Sequence, residues 1–222
     1  MSIILIADDH PLFREAMRSA VARVLPDATV READSAAALY AAVEAEPDAD
    51  LLLLDLEMPG AQGFGVLAHL RATHPQLPVV IVSGHEEPVV MRRALEHGAM
   101  GYIPKSVDAT SLGEAIAQVL DGERWAPALA FSAPPPDAEE QDIARRLREL
   151  TPQQMRVLQM MSTGLLNKQI AWELDVTEAT VKAHVTAILR KLGANNRTQA
   201  VLVAGKLAVD PGSVWLPPDE AG

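Results

Sequence analysis

At 222 residues, 49% of them hydrophobic, the chain can form one large domain or two smaller ones, each with a real core. It contains no cysteine, which excludes a disulfide framework, thiolate catalysis and thiolate metal sites. The formal charge of −11 argues against nucleic acid as a partner, but its distribution reverses that: residues 1–130 hold 19 acids and 9 Lys/Arg, whereas residues 150–209 hold 3 acids and 7 Lys/Arg. An acidic module is joined to a mildly basic one. The first apolar run has no basic region before it and meets acids at Asp8, so neither a signal peptide nor a membrane span is expected there. No later run reaches the roughly 18 uncharged apolar residues that a span requires.

The first 125 residues alternate strand and helix signals. Ile3–Ala7 reads as a strand and Pro11 opens a helix with Phe13, Met17, Val21 and Val24 on one face. Thr29–Ala33 is a second strand and Ala36–Ala45 an alanine-rich helix. Leu51–Leu54 is continuously apolar, as a strand covered on both faces must be. A turn at Met58-Pro59-Gly60 leads to a helix over Phe64–Ala72. A strand at Val79–Val82, a helix at Val89–Glu96, a short strand at Gly101–Ile103 and a helix at Ser111–Leu120 complete a (βα)5 unit. Residues 126–145, with four prolines among small and acidic residues, read as an exposed, partly extended linker, and Ile143–Leu150 as a helical turn or two. From Thr151 the pattern is helical throughout. Thr151 and Gln154 form a capping box for a helix through Met161, Asn167–Leu174 is a second helix, Thr177 caps a third over Glu178–Leu192, and Arg197–Leu207 is a fourth. This gives a domain at 1–125, a linker at 126–145, a second domain at 146–210 and a tail at 211–222.

Each apolar strand is followed closely by a polar residue: Asp8 and Asp9, then Asp55, Ser83 and Lys105. In an open parallel sheet these positions gather at the carboxyl edge, where α/β domains bind ligands. Taken singly, Asp8 is a loop acid, Ser83 a loop hydroxyl and Lys105 a solvated lysine. Together, three carboxylates and an ammonium are costly unless a cation, a phosphoryl group or both share the crevice. Asp55 is the expected nucleophile, forming an acyl phosphate. Asp8, Asp9, Asp55 and the backbone carbonyl of Glu57 are the expected ligands of a hard divalent ion. Lys105 would pair with Asp55 or phosphoryl oxygens, and Ser83 would donate to the phosphoryl group. Gly60 and Gly63 suit the tight loop beside Asp55. Glu57 and His85 line the same mouth, but His85 has no partner ligands, and we assign it no metal.

The strings IADDHPLFREAM, LLLLDLEMPGAQGF, VVIVSGHE and GAMGYIPKS resemble the receiver domain of two-component response regulators. The resemblance implies a flavodoxin-like sheet of order 2-1-3-4-5. It also implies Mg2+ on the acidic pair, phosphoryl transfer to Asp55 from a sensor histidine kinase, and a switch in which Ser83 and Tyr102 respond to the phosphate. One departure is Ser106 after Lys105, where the family usually has proline, which bears on loop geometry.

The basic segment reads as a helix-turn-helix whose longer helix can enter a major groove. Lys182, with short side chains around it, suits base edges or phosphate, and Lys168 suits a backbone phosphate. Arg190, Lys191 and Arg197 extend the positive surface. The string LTPQQMRVLQMMSTGLLNKQIAWELDVTEATVKAHVTAILRKLGANNRTQAV is similar to the LuxR-type DNA-binding domain, a small all-α four-helix module. That similarity implies base contacts by Lys182, Ala183 and Thr186 and backbone contacts by Lys168 and Thr180, and it adds His184 and Lys191 to the expected DNA-binding set. It also implies a last helix able to build a dimer. Gln154 stands where the family has glutamate, which keeps the cap and removes a charge that often pairs with arginine.

Joined, the resemblances point to the NarL/FixJ type: a cytoplasmic, phosphorylation-dependent transcription factor that binds double-stranded DNA as a homodimer and is no enzyme beyond its own phosphorylation and dephosphorylation. Its phosphate signal is expected to reach the face made by helix Val89–Glu96, strand Gly101–Ile103 and helix Ser111–Leu120, or helix one with helix five. Two rivals stand beside this reading. One is a receiver that serves only as a docking surface. The other is a phosphatase using Asp55 with Glu57 as its second acid.

Overall fold

A computed structural model describes residues 2–209; the tail expected at 211–222 lies outside the described residues. Five parallel strands form one sheet of order β2-β1-β3-β6-β7: β1 Ile3–Ala7, β2 Thr29–Ala33, β3 Leu51–Leu54, β6 Val79–Ser83 and β7 Gly101–Pro104. Helices α1 Pro11–Val24 and α5 Ala109–Leu120 cover one face, and α2 Ala36–Ala45, α3 Gly65–Thr73 and α4 Pro88–Glu96 the other. The four leucines of β3 show why that run is continuous. Leu51 and Leu53 join the core under α1 and α5, while Leu52 and Leu54 join the opposite core, and all four are buried.

A small hairpin, β4 Glu57–Met58 with β5 Ala61–Gln62, follows β3 in place of the simple turn the sequence suggested. Gly60 and Gly63 there take φ of 76° and 66°, the left-handed region that glycine enters without steric cost. Beyond β7, Trp125 pairs along Gly101, and its carbonyl accepts from the Tyr102 amide at 2.9 Å.

The segment 126–145 departs most from the sequence expectation. A 3-10 turn, Ala128–Ser132, packs on α4, and a full helix, α6 Ala138–Arg148, begins well before residue 143. Asp137 caps α6 by accepting the Glu140 amide at 2.8 Å. Acids in its first turn and arginines in its last match the helix dipole. Ile143, Ala144 and Leu147 of α6 are buried, with α3 as the helix's principal neighbour in the first unit.

Four helices follow: α7 Pro152–Ser162, α8 Asn167–Glu173, α9 Glu178–Leu192 and α10 Arg197–Gly205. The capping box at Thr151 and Gln154 is present. The α8–α9 turn places Asp175 at φ 51°, a left-handed position that Asp tolerates better than most residues. The core of these helices is continuous with the one beneath α2, α3 and α4, so the two units share an apolar seam.

Candidate functional site

The carboxyl ends of β1, β3, β6 and β7 bring the sequence-marked residues together. Asp8 is fully buried, Asp55 is 3% exposed, and Asp9 sits at the rim. The Lys105 ammonium lies 2.7 Å from Asp8 Oδ2 and 2.8 Å from Asp55 Oδ2. Burial, first, raises the Asp55 pKa, with the Asp8 charge adding to it. Hydrogen bonds from Lys105 and the Glu57 amide work the other way. Burial also penalises the Lys105 cation, but the two carboxylates more than reverse this and raise its pKa. Breaking such a pair by removing one partner typically costs about 3–5 kcal/mol, because the other charge stays buried.

Ser83 and Tyr102 have no exposed surface. The Lys105 amide donates to the Ser83 carbonyl at 2.8 Å, and the Ser83 hydroxyl accepts the His85 amide at 3.3 Å. The Tyr102 hydroxyl donates to the His85 carbonyl at 2.7 Å. Tyr102 alone reads as half-buried; the structure encloses it completely beside Ser83. His85 lies 3.3 Å from Glu57 and 3.5 Å from Glu87, outside the acidic cluster. The Pro104-Lys105-Ser106 segment has no cis peptide bond; nor does any other described residue.

Two contributors escaped the sequence reading. His10 offers a ring nitrogen within the same cluster, 2.7 Å from Asp9 Oδ1, and it directly follows the acid pair in the chain. Phe13 leaves the apolar stripe of α1 and sets its ring 4.6 Å from the Lys105 ammonium. One ligand atom from each of Asp8, Asp9, His10 and Asp55 lies within 4.8 Å of the others. Asp8 Oδ2 and Asp9 Oδ1 are shielded from solvent and accept no well-directed hydrogen bond. Hard, under-satisfied oxygens of this kind fit a divalent cation.

On α9, Thr180, Lys182, Ala183 and Thr186 are exposed on the side away from Val181, Ile188 and Leu192, and His184 is half-buried at its margin. Thr180 shares a 2.8 Å hydrogen bond with Thr177, and the Lys182 ammonium rests 3.0 Å from Glu178 one turn earlier. Lys168 is exposed in the first turn of α8.

Two basic residues do not join that surface. Lys191 turns inward, its ammonium donating to the Glu149 carbonyl and to Gln154 Oε1, both at 2.7 Å. Gln154, with no charge to pair with an arginine, is instead the acceptor of this lysine. Arg197 donates to the carbonyls of Met161 and Leu165 and to Asn167 Oδ1, and burial lowers its pKa. Both cations stitch the loops of the module together.

Residues 4–117 match the response regulator receiver domain, and residues 148–204 match the bacterial regulatory proteins of the luxR family. The glycerol metabolism activator of Pseudomonas putida is 42% identical over 218 residues, spanning 92% of this chain and 95% of its own. The chain belongs to the response regulators with a LuxR-type domain. The nitrate/nitrite response regulator NarL of Escherichia coli K12 is 36% identical, covering 90% of this chain and 93% of its own. RcsB of Salmonella enterica serovar Typhimurium, solved on a promoter with a phosphomimetic, is 23% identical. It superposes at a TM-score of 0.53 over 91% of this chain and 97% of that one, a likeness of fold.

A response regulator of this build is a phosphorylation-responsive, DNA-binding regulator of transcription. The chemistry of its acidic cluster is self-phosphorylation and self-dephosphorylation. That cluster has the composition of a divalent-cation site. Among the described residues no helix is long and apolar enough to cross a membrane.

Proposed function

We propose that Asp55 takes a phosphoryl group from the phosphohistidine of a sensor histidine kinase. A carboxylate oxygen attacks phosphorus, the P–N bond breaks, and the electron pair leaves with the imidazole. The observation that carries this reading is the Lys105 ammonium bridging the buried carboxylates of Asp55 and Asp8, 2.8 and 2.7 Å from their Oδ2 atoms, with Asp9 at the rim of the same cluster. Lys105 then holds a phosphoryl oxygen as a point charge, and Ser83 donates its hydroxyl to another. Tyr102 follows Ser83, since both engage the His85 backbone. Mg2+ is the cation we assign to Asp8, Asp9 and Asp55 with the Glu57 carbonyl; when bound, it neutralises charge that builds up on the transferring group. The alternative, a receiver kept only as a docking surface, gives no reason to bury two acids around one lysine with a third at the rim.

The DNA-facing residues we assign are Lys182, Ala183 and Thr186 at base edges, with Lys168 and Thr180 at phosphates and His184 at the margin. Their exposure on one side of α9 and at the start of α8 supports this. Lys191, placed in the same set from the sequence, we leave out. The acting species is a homodimer on double-stranded DNA in the cytoplasm, with working units at 1–125 and 146–210 joined by 126–145.

The test is duplex binding with Mg2+, with and without a small phosphodonor, for the wild type, Asp55→Asn and Lys182→Ala. Tightening is expected for the wild type and absent in Asp55→Asn. Lys182→Ala is expected to weaken binding in both states and reduce the salt slope by about one. Equal phosphodonor response in Asp55→Asn would refute the site.

A further inference from the structure

None of the residues around a half-open pocket of about 100 Å3 belongs to the acidic cluster. Its apolar walls come from stretches far apart in the chain: Val66 of α3, Leu147 of α6, Leu158 of α7, and Val201 with Ala204 of α10. Val66, Leu147 and Leu158 are buried. Among the described residues no charged side chain lines the pocket.

Helix α7 supplies both the apolar and the polar part of this wall. Met155, Leu158 and Ser162 follow one another at spacings of three and four, so they form one stripe along the helix. The stripe is apolar at first and turns polar in the last turn, where Gln159 and Thr163 also border the pocket. The Ser162 hydroxyl donates to the Leu158 carbonyl at 3.0 Å, and the Thr163 hydroxyl to the Met160 carbonyl at 2.9 Å. Gln159 Nε2 donates to the Tyr40 hydroxyl at 3.1 Å. Both hydroxyl protons are committed, so Ser162 and Thr163 have only oxygen lone pairs to offer. The polar end accepts hydrogen bonds.

Gly65 borders the pocket as well, and nothing around it demands a glycine. Its φ lies outside the left-handed region, and an added Cβ would meet only Leu147 Cδ1, at 4.0 Å. The missing side chain leaves the space open. A cavity of about 150 Å3 with apolar walls takes up benzene, so this one has room for about four to six non-hydrogen atoms. Its walls lack dispersion contacts that such a molecule would restore. A carboxylate or ammonium would meet no counter-charge there, so the fitting occupant is neutral.

We propose that this pocket binds a short, neutral aliphatic alcohol, its carbon chain among Val66, Leu147, Leu158 and Val201 and its hydroxyl donating to Ser162 Oγ. Ser162 is the acceptor because it continues the stripe of Met155 and Leu158. The site does not rest on the phosphoacceptor reading above. It gives the chain a second chemical input, non-covalent and separate from the acidic crevice.

Methyl NMR of the full chain tests it, with 1-butanol, diethyl ether and butanoate as probes. Diethyl ether has the same atoms as 1-butanol and no donor; butanoate carries a charge. 1-Butanol should shift the methyls of Val66, Leu147, Leu158 and Val201 saturably, in the millimolar range or below for about five non-hydrogen atoms. Ile4 and Ile103, in the core under α1 and α5, should not move. Diethyl ether should bind roughly three- to ten-fold more weakly, and butanoate should give no saturable shift. Ser162→Ala should bring 1-butanol down to the level of the ether, and Gly65→Val should abolish its shifts. If Gly65→Val disturbs the spectrum as a whole, Ala204→Leu is the deciding variant. Equal binding of alcohol and ether would reduce the pocket to a packing void and overturn the proposal. So would shifts that do not saturate, or undiminished 1-butanol binding in Ser162→Ala or in a folded, filled variant.

Discussion

The acidic crevice and the basic module hold their charges in opposite ways. In the crevice every charged group is buried or at the rim, and Lys105 reaches two carboxylates within 2.8 Å. On the module, Lys182 stays in solvent while Lys191 and Arg197 spend their donors on backbone carbonyls and side-chain amides within the module. A buried charge must have a partner, so the set that balances can be read from the residues alone. A surface charge has no such obligation, and composition does not say whether it faces a ligand or mends a loop. The net positive count of the module is therefore a poor measure of its DNA-binding face.

The largest break in this comparison should come from Lys105→Met, which leaves two carboxylates in low dielectric. A loss of about 3–5 kcal/mol is expected in denaturant unfolding, partly restored by Mg2+. An unchanged midpoint would mean the crevice is far wetter than its burial suggests. Next comes Arg197→Ala, which orphans two loop carbonyls and should cost about 2–3 kcal/mol, against nearly nothing for exposed Arg190→Ala. Equal stability of the two variants would erase the distinction between stitching and surface cations.

The smallest expected effect is a pH dependence from His69 of α3. It is 1% exposed, its Nδ1 has no hydrogen-bond partner, and it stands edge-on to Tyr40 at 5.6 Å. Burial, chiefly, and the nearby His74 lower its pKa to about 4. Because the folded pKa lies below the unfolded one, the unfolded chain binds the proton first. Stability should then fall as pH drops from 6.5 toward 4, by about 2 kcal/mol at pH 5. His69→Leu should flatten that part of the profile; an equal slope in the variant would assign it to other groups.

Much of the receiver was legible because strand ends and apolar runs are local. Ile3–Ala7, Thr29–Ala33, Ala36–Ala45 and Leu51–Leu54 fall where the residues place them, and Asp8, Asp55, Ser83 and Lys105 meet at one edge. What stayed hidden depends on distant partners. Helix α6 was masked by the prolines before it, although Asp137 followed by two acids and then by arginines is a capping and dipole signal in plain order. Phe13 reads as core by spacing, yet the lysine that draws it to the mouth is far along the chain. The inward turn of Arg197 depends on carbonyls whose direction only the folded loop sets.

The place of α6 also bears on how such proteins can be recombined. Its Glu140 serves Arg93 of the receiver, and its Arg146 donates to the Leu192 carbonyl at the end of α9. A chimaera spliced at the prolines 134–136 would carry Glu140 to a foreign receiver, and one spliced after Leu150 would strand Leu192. Neither cut yields an interchangeable part, because this helix is cut to fit both neighbours.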